Sequence, residues 1–130
     1  MTQKHNELRV LIVGSAHTQI EFQRQLAPLN LTLLFVCSAS DLSQLVHEQE
    51  FFHVALLPAA LLEVDWRVFW EEICFLRFRP SLVVYAPTAS FKLWTAVLES
   101  GGYDVIVEPF VEEELQGAVL RAARSLEDRA

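Results

Sequence analysis

The chain has 130 residues, 52% of them hydrophobic, and a formal net charge of −7. That length suits one domain, and that apolar content supports a packed core and argues against disorder. A net acidic chain without a basic run interleaved with aromatics is a poor binder of phosphate backbones, so no nucleic-acid partner is expected.

Residues 1–7 are polar and mixed in charge and read as a flexible end, with no apolar stretch of signal-peptide length. Leu8 to Val13 reads as a strand. Thr18 to Ala27 reads as a helix, with Phe22 and Leu26 four apart and Pro28 as its stop. Leu31 to Val36 is the second strand, and Ser40 is a candidate N-cap for a helix carrying Leu42, Leu45 and Val46. Val54 to Leu57 is a third, uniformly apolar strand. Asp65 then caps a helix with Trp66, Phe69, Ile73 and Leu76 at three-and-four spacing. Leu82 to Tyr85 is the fourth strand, and Thr88 opens a helix with Trp94, Val97 and Leu98 that ends at Gly101-Gly102. Asp104 to Val107 is the fifth strand. Phe110 to Leu126 closes the domain as a helix carrying Leu115, Val119 and Ala122. The domain is therefore expected to span 8–126, with 127–130 as a second flexible end.

Strands that are apolar throughout need cover on both faces, which is the pattern of a parallel sheet between helix layers. Five strand–helix units with right-handed crossovers predict a doubly wound α/β fold, flavodoxin-like (βα)5, with strand order 2-1-3-4-5. Ligand sites of such folds lie at the carboxyl ends of the strands. The loops to inspect follow Val13, Leu57, Tyr85 and Val107. The longest apolar runs, such as Val54 to Leu62, are too short to cross a bilayer, so a cytoplasmic protein without a membrane partner is expected. Cys37 and Cys74 stand far apart and outside any CxxC, and read as two buried thiols in a reducing compartment.

The stretch Arg9-Val-Leu-Ile-Val13 before a turn and helix, and Phe52-His-Val-Ala-Leu-Leu57, are similar to the first and third strands of response-regulator receiver domains. Leu98-Glu-Ser-Gly-Gly-Tyr-Asp-Val-Ile-Val-Glu-Pro-Phe110 resembles the same family's helix end, small-residue turn, fifth strand and Lys-Pro-Phe corner. The resemblance runs from about residue 8 to 126 and implies a cis bond before Pro109. Its chemistry does not carry over. The acidic pair that would hold Mg²⁺ falls at Gly14 and Ser15, and the phosphoacceptor Asp at Pro58. The Ser/Thr of the fourth strand falls at Ala86, the switch aromatic at Val105 and the Lys at Glu108. Phosphoryl transfer needs a carboxylate nucleophile, a cation held by oxygen ligands and positive charge on the equatorial oxygens. The matching positions offer none of these. The resemblance thus implies a pseudo-receiver that is no enzyme, needs no cofactor or metal, and holds one conformation with or without Mg²⁺ and phosphate mimics.

Other chemistry is weaker. Gly14-Ser-Ala-His-Thr18 lacks the Walker and GxGxxG spacings and reads as a strand-to-helix turn capped by Ser15 or Thr18. A flavodoxin-like small-ligand site is the alternative there. A phosphoryl-accepting regulator with a non-standard acceptor is another. His5, His17, His47 and His53 show no ligand spacing, and Glu63 and Asp65 read as a solvated loop residue and a cap. The expected partner is a protein, or a second copy in a homodimer. Surplus apolar residues mark two candidate faces. One holds Leu61, Leu62, Val68, Trp70 and Phe75 around the third helix; the other holds Phe91, Tyr103 and Val107. The third-helix face is the preferred one.

Overall fold

Each strand presents successive side chains to opposite faces, and both faces here are apolar, so the sheet acquires a core on each side. In β1 (Arg9–Val13), Leu11 points one way and Val10 and Ile12 the other, and all three are buried. β2 (Thr32–Val36), β3 (Val54–Pro58), β4 (Ser81–Ala86) and β5 (Asp104–Val107) join it in one parallel sheet of order β2-β1-β3-β4-β5. This is the flavodoxin-like order expected from the sequence. The computed structural model describes residues 8–48, 51–62, 67–74 and 79–129.

The helices are α1 (Ala16–Leu26), α2 (Ala39–His47), α3 (Arg67–Cys74), α4 (Phe91–Glu99) and α5 (Glu112–Arg129). Phe22 and Leu26 of α1 meet Leu115, Val119 and Ala122 of α5 over one face, with Val10, Ile12, Val54, Leu56, Val83 and Tyr85 beneath. Leu42 of α2, Trp70 and Ile73 of α3 and Val97 of α4 cover the other face, over Leu11, Ala55, Leu57, Leu82, Val84 and Val105. Among the described residues no helix is long and apolar enough to cross a membrane.

Helix starts differ from the sequence reading because several hydroxyl residues compete for each cap. Ser15 caps α1 by accepting from the Thr18 amide at 3.3 Å, so the helix begins two residues before Thr18. Ser38, not Ser40, accepts from the Asp41 amide at 3.1 Å ahead of α2. Ser90, not Thr88, accepts from the Leu93 amide at 3.1 Å and starts α4. Gly101, at φ +90°, ends α4 in the left-handed region, which a side chain rarely adopts. α5 runs on to Arg129, past the boundary expected at 126.

Two further expectations are corrected. Trp70 is no surface residue: it is 3% exposed, and its indole Nε1 donates to the Ser100 carbonyl at 3.1 Å. An indole buried with its one donor satisfied belongs to the core. Cys37 is exposed rather than buried, because it follows the end of the outer strand β2. Glu63, Asp65, Trp66, Phe75, Leu76 and residues 1–7 lie outside the described residues, as do the side chains of Val46, Leu61, Leu62, Val68, Phe69 and Cys74.

Candidate functional site

The parallel strands bring the ends of β1, β3, β4 and β5 to one edge of the sheet, where a doubly wound fold places its ligands. Gly14 follows β1, Pro58 ends β3, Ala86 ends β4, and Glu108 follows β5. The register confirms their proximity: Pro58 pairs with Tyr85, and the Glu108 amide donates to the Ala86 carbonyl at 2.9 Å. All the positions singled out for phosphoryl chemistry except Val105 thus gather at this edge. Val105 is buried in the core below it.

What fills the edge is a side chain that the sequence reading did not single out. Tyr85 points to the α1–α5 side of β4, and its hydroxyl donates to the Val13 carbonyl at 2.6 Å. A Cβ built on Gly14 would collide with that hydroxyl. Phe22 meets the Tyr85 ring edge-on at 5.1 Å, and Phe110 meets it edge-on at 5.9 Å while stacking on Phe22 at 4.7 Å. The trio leaves the Tyr85 ring little freedom to swing away. Burial, and secondarily the negative charge of Glu108, push the Tyr85 phenol well above its ordinary value. The group therefore stays a neutral donor. The only sequence signals were a tyrosine at the end of an apolar strand and a glycine after its near neighbour.

Gln19 and Gln25 fix the surrounding loops. Gln19 Nε2 donates to the carbonyls of Gly14 at 2.9 Å and Val36 at 3.1 Å, tying the β1–α1 turn to the end of β2. Gln25 is 3% exposed, and its Nε2 donates to the Phe110 carbonyl at 3.1 Å and to Glu21. This holds the β5–α5 corner against α1. The Glu108–Pro109 peptide bond at that corner is cis.

A cleft of about 440 Å³ opens beside the corner, lined by His17, Thr18, Glu21, Pro87, Glu108, Pro109 and Phe110. Its walls carry two carboxylates and no lysine or arginine. Hydrogen bonds from Arg24 and then Gln25 hold the Glu21 carboxyl below the usual range, so it stays anionic. Among the described residues the lining offers a phosphate no lysine or arginine, since Arg24 is taken by Glu21. The Mg²⁺ that receiver domains use does not fit these residues, because Gly14 and Ser15 supply no carboxylate after β1. Among the described residues no three His, Cys, Asp or Glu side chains converge as metal ligands.

No family model and no curated protein matches the sequence. Solved structures do match in fold. A response-regulator receiver domain protein (CheY-like) from Methanospirillum hungatei superposes with a TM-score of 0.78 at 19% identity, over 96% of this chain and 100% of that one. The signal receiver domain of an HD domain-containing protein from Pseudomonas fluorescens gives 0.78 at 20% identity, over 95% and 99%. A protein assigned to pilus assembly in Burkholderia pseudomallei gives 0.77 at 18% identity, over 90% of each chain. The chain therefore has the receiver (CheY-like) fold across nearly its whole length.

Proposed function

We propose that the chain is a degenerate member of the receiver family, a pseudo-receiver that takes no phosphoryl group, catalyses no reaction and acts in cytoplasmic signal transduction by binding protein. The observation that carries this reading is the Tyr85 hydroxyl, which stands where a side chain on residue 14 would begin. With Pro58, Ala86 and Glu108 at the other positions, the edge lacks nucleophile, metal ligands and cation together among the described residues. The likeness to receiver domains supports a signalling role.

The partner surface is the α4–β5 face, and the occupant is a second copy of the chain. Phe91, Trp94 and Leu98 lie at i, i+3 and i+7 on α4 and are exposed, Phe91 to 88%. Tyr103 and Val107 continue the apolar surface along the outer strand β5. Lys92, Glu99, Asp104 and Arg121 put both signs of charge around it, as a twofold self-complementary contact requires. This face replaces the third-helix face first preferred, whose Trp70 is in the core.

An amide NMR titration with Mg²⁺ and beryllofluoride tests the loss of the phosphoryl site. No localised shifts are expected around Gly14, Ala86 and Glu108. Saturable shifts confined to those residues would overturn it. A second reading, a small-ligand domain of flavodoxin type, has the 440 Å³ cleft beside Phe110 in its favour. Its acidic lining is wrong for a flavin phosphate, and a yellow purified protein would revive it.

A further inference from the structure

The opposite end of the sheet, where the strands begin, carries the charge that the carboxyl edge lacks. β4 opens at Ser81 and β5 at Asp104, and the C-terminal half of α5 passes beside both. A hollow of about 230 Å³ lies there, lined by Tyr103, Arg121, Arg124 and Ser125. A second, of about 180 Å³, adjoins it, shares Tyr103 and Ser125, and runs over the backbone of Gly101-Gly102.

Arg121 and Arg124 are one helical turn apart on α5 and reach the same hollow. Among the described residues neither guanidinium has a close ion pair. Arg121 approaches Asp104 only to 3.9 Å and is 61% exposed, while Arg124 has no ion-pair partner among the described residues. Asp104 is partly engaged already, since its Oδ1 accepts from the Val105 amide at 2.8 Å. Arg79 donates to the carbonyl of Gly101, a residue of the adjoining hollow, at 2.8 Å. Among the described residues, the two arginines that line the hollow face one carboxylate, which makes it locally positive on a chain of net charge −7. Arginines near the end of α5 also suit the helix dipole, but that effect would be served from any side of the helix. It does not explain why both line one hollow with two hydroxyl-bearing residues.

We infer that this basin binds the phosphate group of a small phosphate ester. The paired guanidiniums match phosphate oxygens in bidentate fashion, and the Tyr103 and Ser125 hydroxyls add neutral donors. The adjoining hollow takes the organic part against the half-exposed Tyr103 ring and the glycine backbone. The site goes beyond the protein-binding role proposed above; it lies at the other end of the sheet from the degenerate edge and shares Tyr103 and Arg121 with the border of the α4–β5 face.

An amide NMR titration of the full chain with glycerol 3-phosphate and, separately, inorganic phosphate at low salt tests it. Saturable shifts are expected at residues 101–104 and 121–125, with the ester binding more tightly. Each of Arg121→Gln and Arg124→Gln is expected to weaken binding about tenfold, the loss of one charge-assisted hydrogen bond. Both are surface changes that leave the dispersion of the spectrum intact. Non-saturating shifts spread over the surface, or a double variant that titrates like the wild type, would overturn the site. Equal affinity for the two probes would overturn the role of the adjoining hollow.

Discussion

The hydroxyl of Tyr85 occupies the space that a Cβ on Gly14 would need, while the next ring carbon, Cζ, stays 3.6 Å from that Cβ position. The clash is therefore with one oxygen. Gly14→Ala is expected to destabilise the chain by about 1–3 kcal/mol, the range for overpacking a closed site. In a Tyr85→Phe background the same change is expected to cost almost nothing. Urea unfolding of the four proteins in the cycle checks this, and additive effects would show that the two positions are not coupled.

Tyr85→Phe alone is expected to cost about 1 kcal/mol, one hydrogen bond to the Val13 carbonyl, with the aromatic trio intact. Its pH signature is specific. The phenol is raised in the folded chain above its unfolded value of about 10, so its contribution is fully present below that value. Above it the unfolded chain releases a proton that the folded chain keeps, and stability falls as pH rises. Denaturation midpoints should therefore fall less steeply above pH of about 10 in Tyr85→Phe than in the wild type. Parallel slopes would contradict the burial of the hydroxyl.

Trp70→Ala is expected to cost about 3–5 kcal/mol, because it empties a core position and strands the Ser100 carbonyl. Trp70→Phe keeps most of the volume and loses the hydrogen bond, so it is expected to cost less. A blue-shifted Trp70 emission, read by difference from the Trp70→Phe variant, checks the burial directly. Emission typical of water would return this residue to the surface.

Sedimentation of the wild type is expected to show a monomer–dimer equilibrium that Phe91→Glu abolishes while circular dichroism is unchanged. A charge at a residue 88% exposed has no reason to disturb the fold. A wild type that stays monomeric at high concentration would remove the second copy as occupant of the α4–β5 face.

The fold was legible because it rests on strong patterns. Apolar strands such as Val54 to Leu57 and helices with Leu115, Val119 and Ala122 in register left few arrangements of the sheet, and the order expected among them is the one found. Cap residues were less legible, because Ser38 and Ser40, or Thr88 and Ser90, are equivalent in type and only backbone geometry chooses between them. The substituted positions could be placed from their neighbours, since Gly14, Pro58, Ala86 and Glu108 each sit at a strand end. What replaced the site could not. Tyr85 and Gly14 are 71 residues apart, and their contact depends on β1 and β4 flanking β3 with the ring on a particular face. The basin at Arg121 and Arg124 was hidden for the same reason, because it forms only when α5 crosses the start of β5.

The edge formed by Gly14, Pro58, Ala86 and Glu108 is expected to accept no phosphoryl group. Intact-mass spectrometry of the chain after incubation with acetyl phosphate and Mg²⁺ tests it most directly. An unchanged mass is expected at all times sampled. A stable adduct of one phosphoryl group per chain, mapped to a carboxylate near the end of β3, would contradict it.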